Sequence, residues 1–332
     1  MSSLSVGDMA QNFTLTRSGT ALKTSIQQLS NALVSGLADD TAAHLSGDLN
    51  PLAGLKASLA RLDGYKAVTT EAGLFADTMQ TAFGQIIRMA SSLSQSLLAG
   101  ASPSAPPRTA ALGVDAAQKF EATVSALKTR VGDRSLFSGV DSTTTPLPDG
   151  AALLDTLETV VAGALTAADV QTALDDWFSQ PTGYAATYQG GAQLAPVAVA
   201  PGELARIDIT AMDPTIRNTL KGFALAALID RGVLSTSQSG QADLLRRSGE
   251  ALLTVQNDLG NTTARLGTTQ QQIDQAAQRN AAEATALNIA LSDMLSIDSF
   301  AVATSLQQTQ TQLETLYALT ARMSRLSLVN FL

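Results

Sequence analysis

The chain has one histidine, His44, and no cysteine. A transition metal held by nitrogen and sulfur needs several such side chains to converge, so His44, set among polar neighbours, reads as a solvated residue. Without a thiol there is no disulfide, no thiolate nucleophile and no cysteine-metal site. Carboxylates occur as the adjacent pairs Asp39-Asp40 and Asp175-Asp176. Consecutive helical residues diverge by about 100°, so neither pair supplies the opposed acid and base of general catalysis; both read as surface or helix-start charge. Tyr184, Tyr188 and Gly190-Gly191 read as core or loop packing. No phosphate-cradling glycine loop, nucleophile elbow or calcium loop is present. No catalytic residue, cofactor site or metal site is therefore expected, and the chain reads as something other than an enzyme. A helical enzyme would need a convergent polar pocket in residues 141–240.

Composition narrows the class further. Of 332 residues 45% are hydrophobic, yet aromatics are limited to 9 Phe, 4 Tyr and 1 Trp, which favours helices packed through small and aliphatic side chains. The formal net charge of −8 and the lack of a basic run exclude the phosphate-neutralising stripe of a nucleic-acid binder and argue against an anionic membrane surface. No stretch reaches the roughly 18–20 apolar residues of a membrane span. The N-terminal residues carry no basic start followed by an apolar run, so no cleavable secretory signal is expected.

Leu22, Ile26, Leu29 and Leu33 step by helical spacing and predict a helix over about 21–36 whose seam packs on other helices. After a polar connector containing Asp39, Asp40, His44 and Gly47, a long helix is predicted over 52–98. It is marked by Leu55, Leu59, Leu62, Phe75, Met79, Phe83, Ile86, Leu93 and Leu97. Pro106 and Pro107 make 100–107 a loop, and a third helix follows over 108–131, stopping near Gly132. Residues 141–240 change texture. Short helices are expected over 153–164 and 166–178, with Thr166 and Asp169 fitting a capping box. A hairpin is expected with Pro201-Gly202 at its turn and Ile207 and Ile209 in its second strand, then a helix over 214–230. From 241 the helical period returns, pauses at 296–298 and resumes over 300–332, with Leu306, Leu313, Leu316, Leu319, Met323 and Leu326 forming a broad stripe. The fold class expected is mainly α: an elongated antiparallel helical rod built from the N- and C-terminal segments, with a small α+β insert in the middle. The corresponding domains are 1–50 with 298–332, 51–140 with 241–297, and the insert 141–240.

Short helices with one apolar stripe are marginal alone in water. A stripe of half a dozen leucines gains on the order of 10 kcal/mol only when something covers it, and other copies of the chain are the cover expected here, with burial inside the monomer as the alternative.

The C-terminal run from Ser299 to Leu332, with its paired glutamines, Tyr317, Leu326-Ser327-Leu328 and closing Asn330-Phe331-Leu332, resembles the terminal helix of flagellins and their junction-protein relatives. Ile26 to Ser30 with Gly36 and Asp39-Asp40 resembles the first helix and connector of that family. Arg134-Ser135-Leu136-Phe137-Ser138-Gly139 resembles a signature of its hook-filament junction branch, and Ala264 to Gly267 the start of the returning helix. Two departures, the missing Ala-Gly-Leu-Ala-Ile text after Asp40 and the Asn-Phe-Leu ending, shift the resemblance from filament subunit towards junction protein. The resemblance implies a structural subunit of the bacterial flagellum, exported through the flagellar type III apparatus to the cell exterior. It implies self-association in a ring between a hook-side junction protein and flagellin, and an export chaperone for the C-terminal helix. The alternative is a flagellin filament subunit. The residues expected to pack between subunits are Leu22, Ile26, Leu29 and Leu33 at one end and Leu306, Leu313, Leu316, Tyr317, Met323, Leu326, Phe331 and Leu332 at the other. No nucleic acid and no membrane insertion are expected.

Overall fold

The structure, a computed structural model, describes the backbone of residues 6–101 and 108–329, and their side chains except at 6–9, 11, 12 and 324–329. Most of the expected 100–107 loop and the closing Asn330-Phe331-Leu332 lie outside the described residues. In chain order the elements are α1 (Val6–Ser35), α2 (Thr41–His44), α3 (Asn50–Gly100), α4 (Thr109–Leu127), β1 (Arg130–Val131), β2 (Arg134–Ser135), α5 (Gly150–Val160), α6 (Ala167–Ser179), α7 (Tyr184–Thr187), β3 (Val197–Ala200), β4 (Glu203–Ala205), α8 (Pro214–Ala227), α9 (Gln238–Leu295) and α10 (Ser299–Val329). The fold is mainly α, with long helices packed antiparallel. It divides into two compact units, residues 1–62 with 282–332, and residues 63–281.

The first unit is built on α1 and α10. They run antiparallel: Gly19 in α1 faces the Leu316 side chain, while the C-terminal end of α1 meets the start of α10 through an isolated bridge between Leu37 and Ser296. Backbone bonds Ala38 N to Leu295 O (2.9 Å) and Ile297 N to Gly36 O (3.2 Å) close that end as a clasp. The helix expected from about residue 21 in fact starts at Val6. Its first half lacks a regular apolar stripe, and threonine hydroxyls there bond back to their own turn, as Thr14 Oγ1 to Ala10 O (2.8 Å) and Thr20 Oγ1 to Thr16 O (3.0 Å). The connector to α3 holds α2, capped by Asp40, whose carboxylate accepts from Ala43 N at 3.0 Å.

The second unit holds the core. Within it α3 and α9 run antiparallel: Gln256 Nε2 donates to Ser94 Oγ (3.0 Å), Gln270 Nε2 to Asp77 Oδ1 (2.7 Å), and Gly73 faces Ile273. Between them Phe75, Met79, Phe83, Ile86, Leu93 and Leu97 bury against Leu252, Leu259, Leu266 and Ile273, the helical spacing seen in the sequence. Ala116, Phe120, Val124 and Leu127 of α4 are buried as well, and α4 packs along α8. The capping box at α6 forms, with Thr166 Oγ1 accepting from Asp169 N and Asp169 Oδ2 accepting from Thr166 N.

Two local expectations are corrected. The third helix ends at Leu127, and residues 130–135 form the β1–β2 hairpin, Arg130 opposite Ser135 and Val131 opposite Arg134. Gly132-Asp133 is a two-residue hairpin connection, and it wins over the helical period. The second hairpin has Pro201-Gly202 at its turn, with Gly202 at φ +75°, a backbone region costly to a Cβ-bearing residue. Its second strand, however, ends at Ala205. Ile207 and Ile209 are buried without a ladder: Arg206 O is instead bonded by Thr269 Oγ1 of α9 (3.4 Å).

Candidate assembly surface

Several of the residues with catalytic potential have structural roles. His44 is exposed. Asp40 is a helix cap, and Asp175 pairs with Lys221 at 2.5 Å. Tyr184 is fully buried, donates to Ala211 O at 2.7 Å, and packs against Trp177 and Phe178; burial pushes its hydroxyl pKa well up. Tyr188 donates to Gly191 O at 3.0 Å, and its pKa too is raised by burial. Among the described residues no group of three or more His, Cys, Asp and Glu could hold a metal, and no helix is long and apolar enough to cross a membrane. A pocket of about 170 Å³ in the second unit is walled by Val68, Ala72, Phe75, Leu194, Ala195, Val197 and Ile207. Its polar side chains, Glu71 and Arg134, are paired with each other, with the Arg134 guanidinium 4.9 Å from the Phe75 ring centroid.

The segment Arg134–Gly139 is a crossing point of the fold. Leu136, Phe137 and Ser138 are buried, and Phe137 meets Phe83 edge-on at 5.9 Å between centroids. Distant backbone stitches it in place: Gly191 N to Ser138 O (2.8 Å), Val140 N to Ala192 O (2.9 Å) and Ala211 N to Phe137 O (2.9 Å). Gly139 has φ +62°, and a Cβ there would stand 2.1 Å from Ala192 O, so the close backbone crossing requires glycine.

The residues expected to pack between subunits lie on α1 and α10. Leu22, Ile26, Leu29, Leu306, Leu313, Leu316 and Met323 are each half-buried, and Leu33 is exposed. Tyr317 is 50% exposed, with Lys23 Nζ 5.7 Å from its ring centroid. Of Leu326 the structure describes the helical backbone; Phe331 and Leu332 lie outside the described residues. Ala32 is the one buried residue among the described side chains of the two helices. Pairing of α1 with α10 therefore covers part of each stripe and completes neither. Leu319 of the α10 stripe is 49% exposed, and further apolar surface lies off the stripes and escaped the sequence reading: Phe13 is 69% exposed, Val34 88% and Phe300 82%.

The polar faces of the pair are equally unusual. Along α10 the hydroxyls of Thr304, Ser305, Thr309, Thr311, Thr315 and Thr320 each donate to the carbonyl four residues back, at 2.8–2.9 Å. A hydroxyl already bonded to its own helix loses less when water is removed than one bonded to solvent. These hydroxyls can be covered without becoming orphaned donors.

Comparison with known proteins gives one family match. Residues 250–332 match the family model of the bacterial flagellin C-terminal helical region. No curated protein sequence matches the chain. Among solved structures, Bacillus cereus FlgL is similar at 14% identity and a TM-score of 0.49, over 70% of this chain and 96% of that one. A structure described as a flagellar hook-associated protein from Vibrio parahaemolyticus gives 13% identity and a TM-score of 0.45, over 73% of this chain and 95% of that one. It is thus α10 and most of α9 that match the flagellin C-terminal helical region.

Proposed function

We propose that this protein forms the junction between a hook-side junction protein and the flagellin filament of a bacterial flagellum, working by helix packing and not by catalysis. The half-covered seam of α1 and α10 carries the reading. Each stripe retains apolar area whose burial would contribute about 25 cal/mol per Å², and neighbouring copies in a ring would supply the cover. The resemblance of Arg134–Gly139 to the junction-branch signature favours the junction over the filament. Residues 141–240 form an outer insert in this reading, residues 51–140 with 241–297 the rod, and 1–50 with 298–332 the assembly region. The protein leaves the cell by the flagellar type III route, escorted by an export chaperone on its C-terminal helix, and resides in the extracellular flagellum. A strain lacking the gene should build hooks and shed flagellin into the medium; attached filaments of normal length in that strain would refute the junction role.

A filament subunit is the second reading, because the flagellin C-terminal region at 250–332 suits either. Purified filaments separate the two. The chain is their bulk protein if it is a filament subunit and a trace component if it is the junction.

A further inference from the structure

The apolar pocket of about 170 Å³ is walled by residues of the second unit alone. Three separately anchored pieces of chain form it. Val68, Ala72 and Phe75 come from α3, Leu194, Ala195 and Val197 from the run leading into β3, and Ile207 from the segment after β4. The run into β3 is tied at one end by Val140 N to Ala192 O (2.9 Å) and at the other by the pairing of Val197 with Ala205. Thr269 Oγ1 bonds Arg206 O beside Ile207. With the walls so anchored, the short side chains of Ala72 and Ala195 leave the gap between them unfilled.

One side of the hollow is polar. Glu71 Oε1 accepts from Arg134 Nη1, and the Arg134 guanidinium lies 4.9 Å from the Phe75 ring centroid. Among the described residues nothing bonds Glu71 Oε2 or the Nε and Nη2 of Arg134. An accepting oxygen and donating N–H groups therefore stand side by side at an otherwise greasy cavity.

We propose that this pocket binds a single phenolic ring. Size sets the ring: an apolar cavity of about 150 Å³ takes one benzene, and this one is slightly larger. Polarity sets the substituent. A phenol hydroxyl donates to Glu71 Oε2 and accepts from Arg134, whereas an indole N–H only donates and benzene does neither. Benzoate would bring a second carboxylate to an arginine that Glu71 already neutralises.

The full-length protein is titrated with phenol, indole, benzene and benzoate, and binding is followed by ligand-observed NMR. Phenol should saturate one site about tenfold more tightly than benzene or benzoate, the gain expected of a hydrogen bond to a charged group, with indole between. Equal affinity for phenol and benzene, or no saturable binding of phenol, overturns the proposal. Ala72→Leu puts a longer side chain into the hollow at a helical position that leucine suits. It should abolish binding in a protein with unchanged helical circular dichroism, and phenol binding that survives overturns the assignment. Should that variant not fold, Glu71→Gln decides alone. The Glu71–Arg134 pair is exposed and contributes little to the fold, so Glu71→Gln should fold normally. In it phenol should weaken and benzoate tighten until their order reverses; an unaltered order overturns the proposal. A free phenol and a tyrosine side chain offer the same ring, and N-acetyltyrosinamide separates them. Binding as tight as phenol assigns the pocket to a tyrosine side chain, its exclusion to a free small molecule, and both uphold the ring site.

Discussion

Truncating Leu313 to alanine tests whether the seam belongs to the monomer or to its neighbours. Removing a fully buried leucine costs about 2–5 kcal/mol. Leu313 is half-buried by α1 and its own helix, so the isolated chain should lose only about 1–2 kcal/mol, with a similar further loss per copy where a neighbour closes the seam. Leu93 in the α3/α9 core is 0% exposed, and Leu93→Ala should show the whole 2–5 kcal/mol range, about that of a fully buried site, in the isolated chain. Urea unfolding followed by helical circular dichroism ranks the monomers, and flagellin retained on cells complemented with each variant ranks assembly. The expected result is a crossed ranking: Leu313→Ala unfolds close to wild type yet retains less filament than its stability alone explains. A Leu313→Ala protein that unfolds as early as Leu93→Ala but holds filaments as well as wild type would refute the reasoning.

Gly139→Ala should destabilise the second unit by about 3–5 kcal/mol, since its methyl would press on the Ala192 carbonyl at a positive φ; chemical denaturation measures this, and a variant within about 0.5 kcal/mol of wild type contradicts the crossing described at 134–139. Tyr184→Phe leaves the buried Ala211 carbonyl without its 2.7 Å donor and should cost about 1–3 kcal/mol without altering the helical spectrum. Acid should unfold the protein partly through Asp243, whose carboxyl is held below the ordinary value by hydrogen bonds from Arg247 and Arg246. A depressed folded pKa contributes stability above the unfolded value of about 3.9, and that stability is lost as pH falls through the folded value. Asp243→Asn should therefore flatten the melting-temperature profile below about pH 4; an unchanged slope would remove Asp243 from the account.

The long helices were legible because their signal is redundant. Phe75 to Leu97 and Leu252 to Ile273 repeat one period over many turns, so a single atypical residue cannot hide them. Short elements lack that redundancy. The β1–β2 hairpin turns on Gly132-Asp133 alone, and Ile207 and Ile209 alternate like a strand although side chains of α9 take the place of a ladder partner. The stripes of α1 and α10 were readable for the same reason as the core, but their half-covered state was not, because exposure depends on what stands opposite. Val34 and Phe300 were missed since they fall off the stripe, and a periodicity argument has no means of weighting a lone residue. Gly190-Gly191 and Tyr188 drew notice by type, whereas the crossing with 134–139 that they serve is a tertiary fact.

The threonine and serine hydroxyls folded back onto α10 set a thermodynamic signature for whatever lies against it. Hydroxyls so bonded hold their water loosely, so releasing it breaks few strong bonds and liberates solvent instead. Calorimetry of the contact should show little heat near room temperature, a favourable entropy and a heat capacity that falls on binding. Cooling would then weaken the joint, and a cold suspension of cells would be the place to see it loosen.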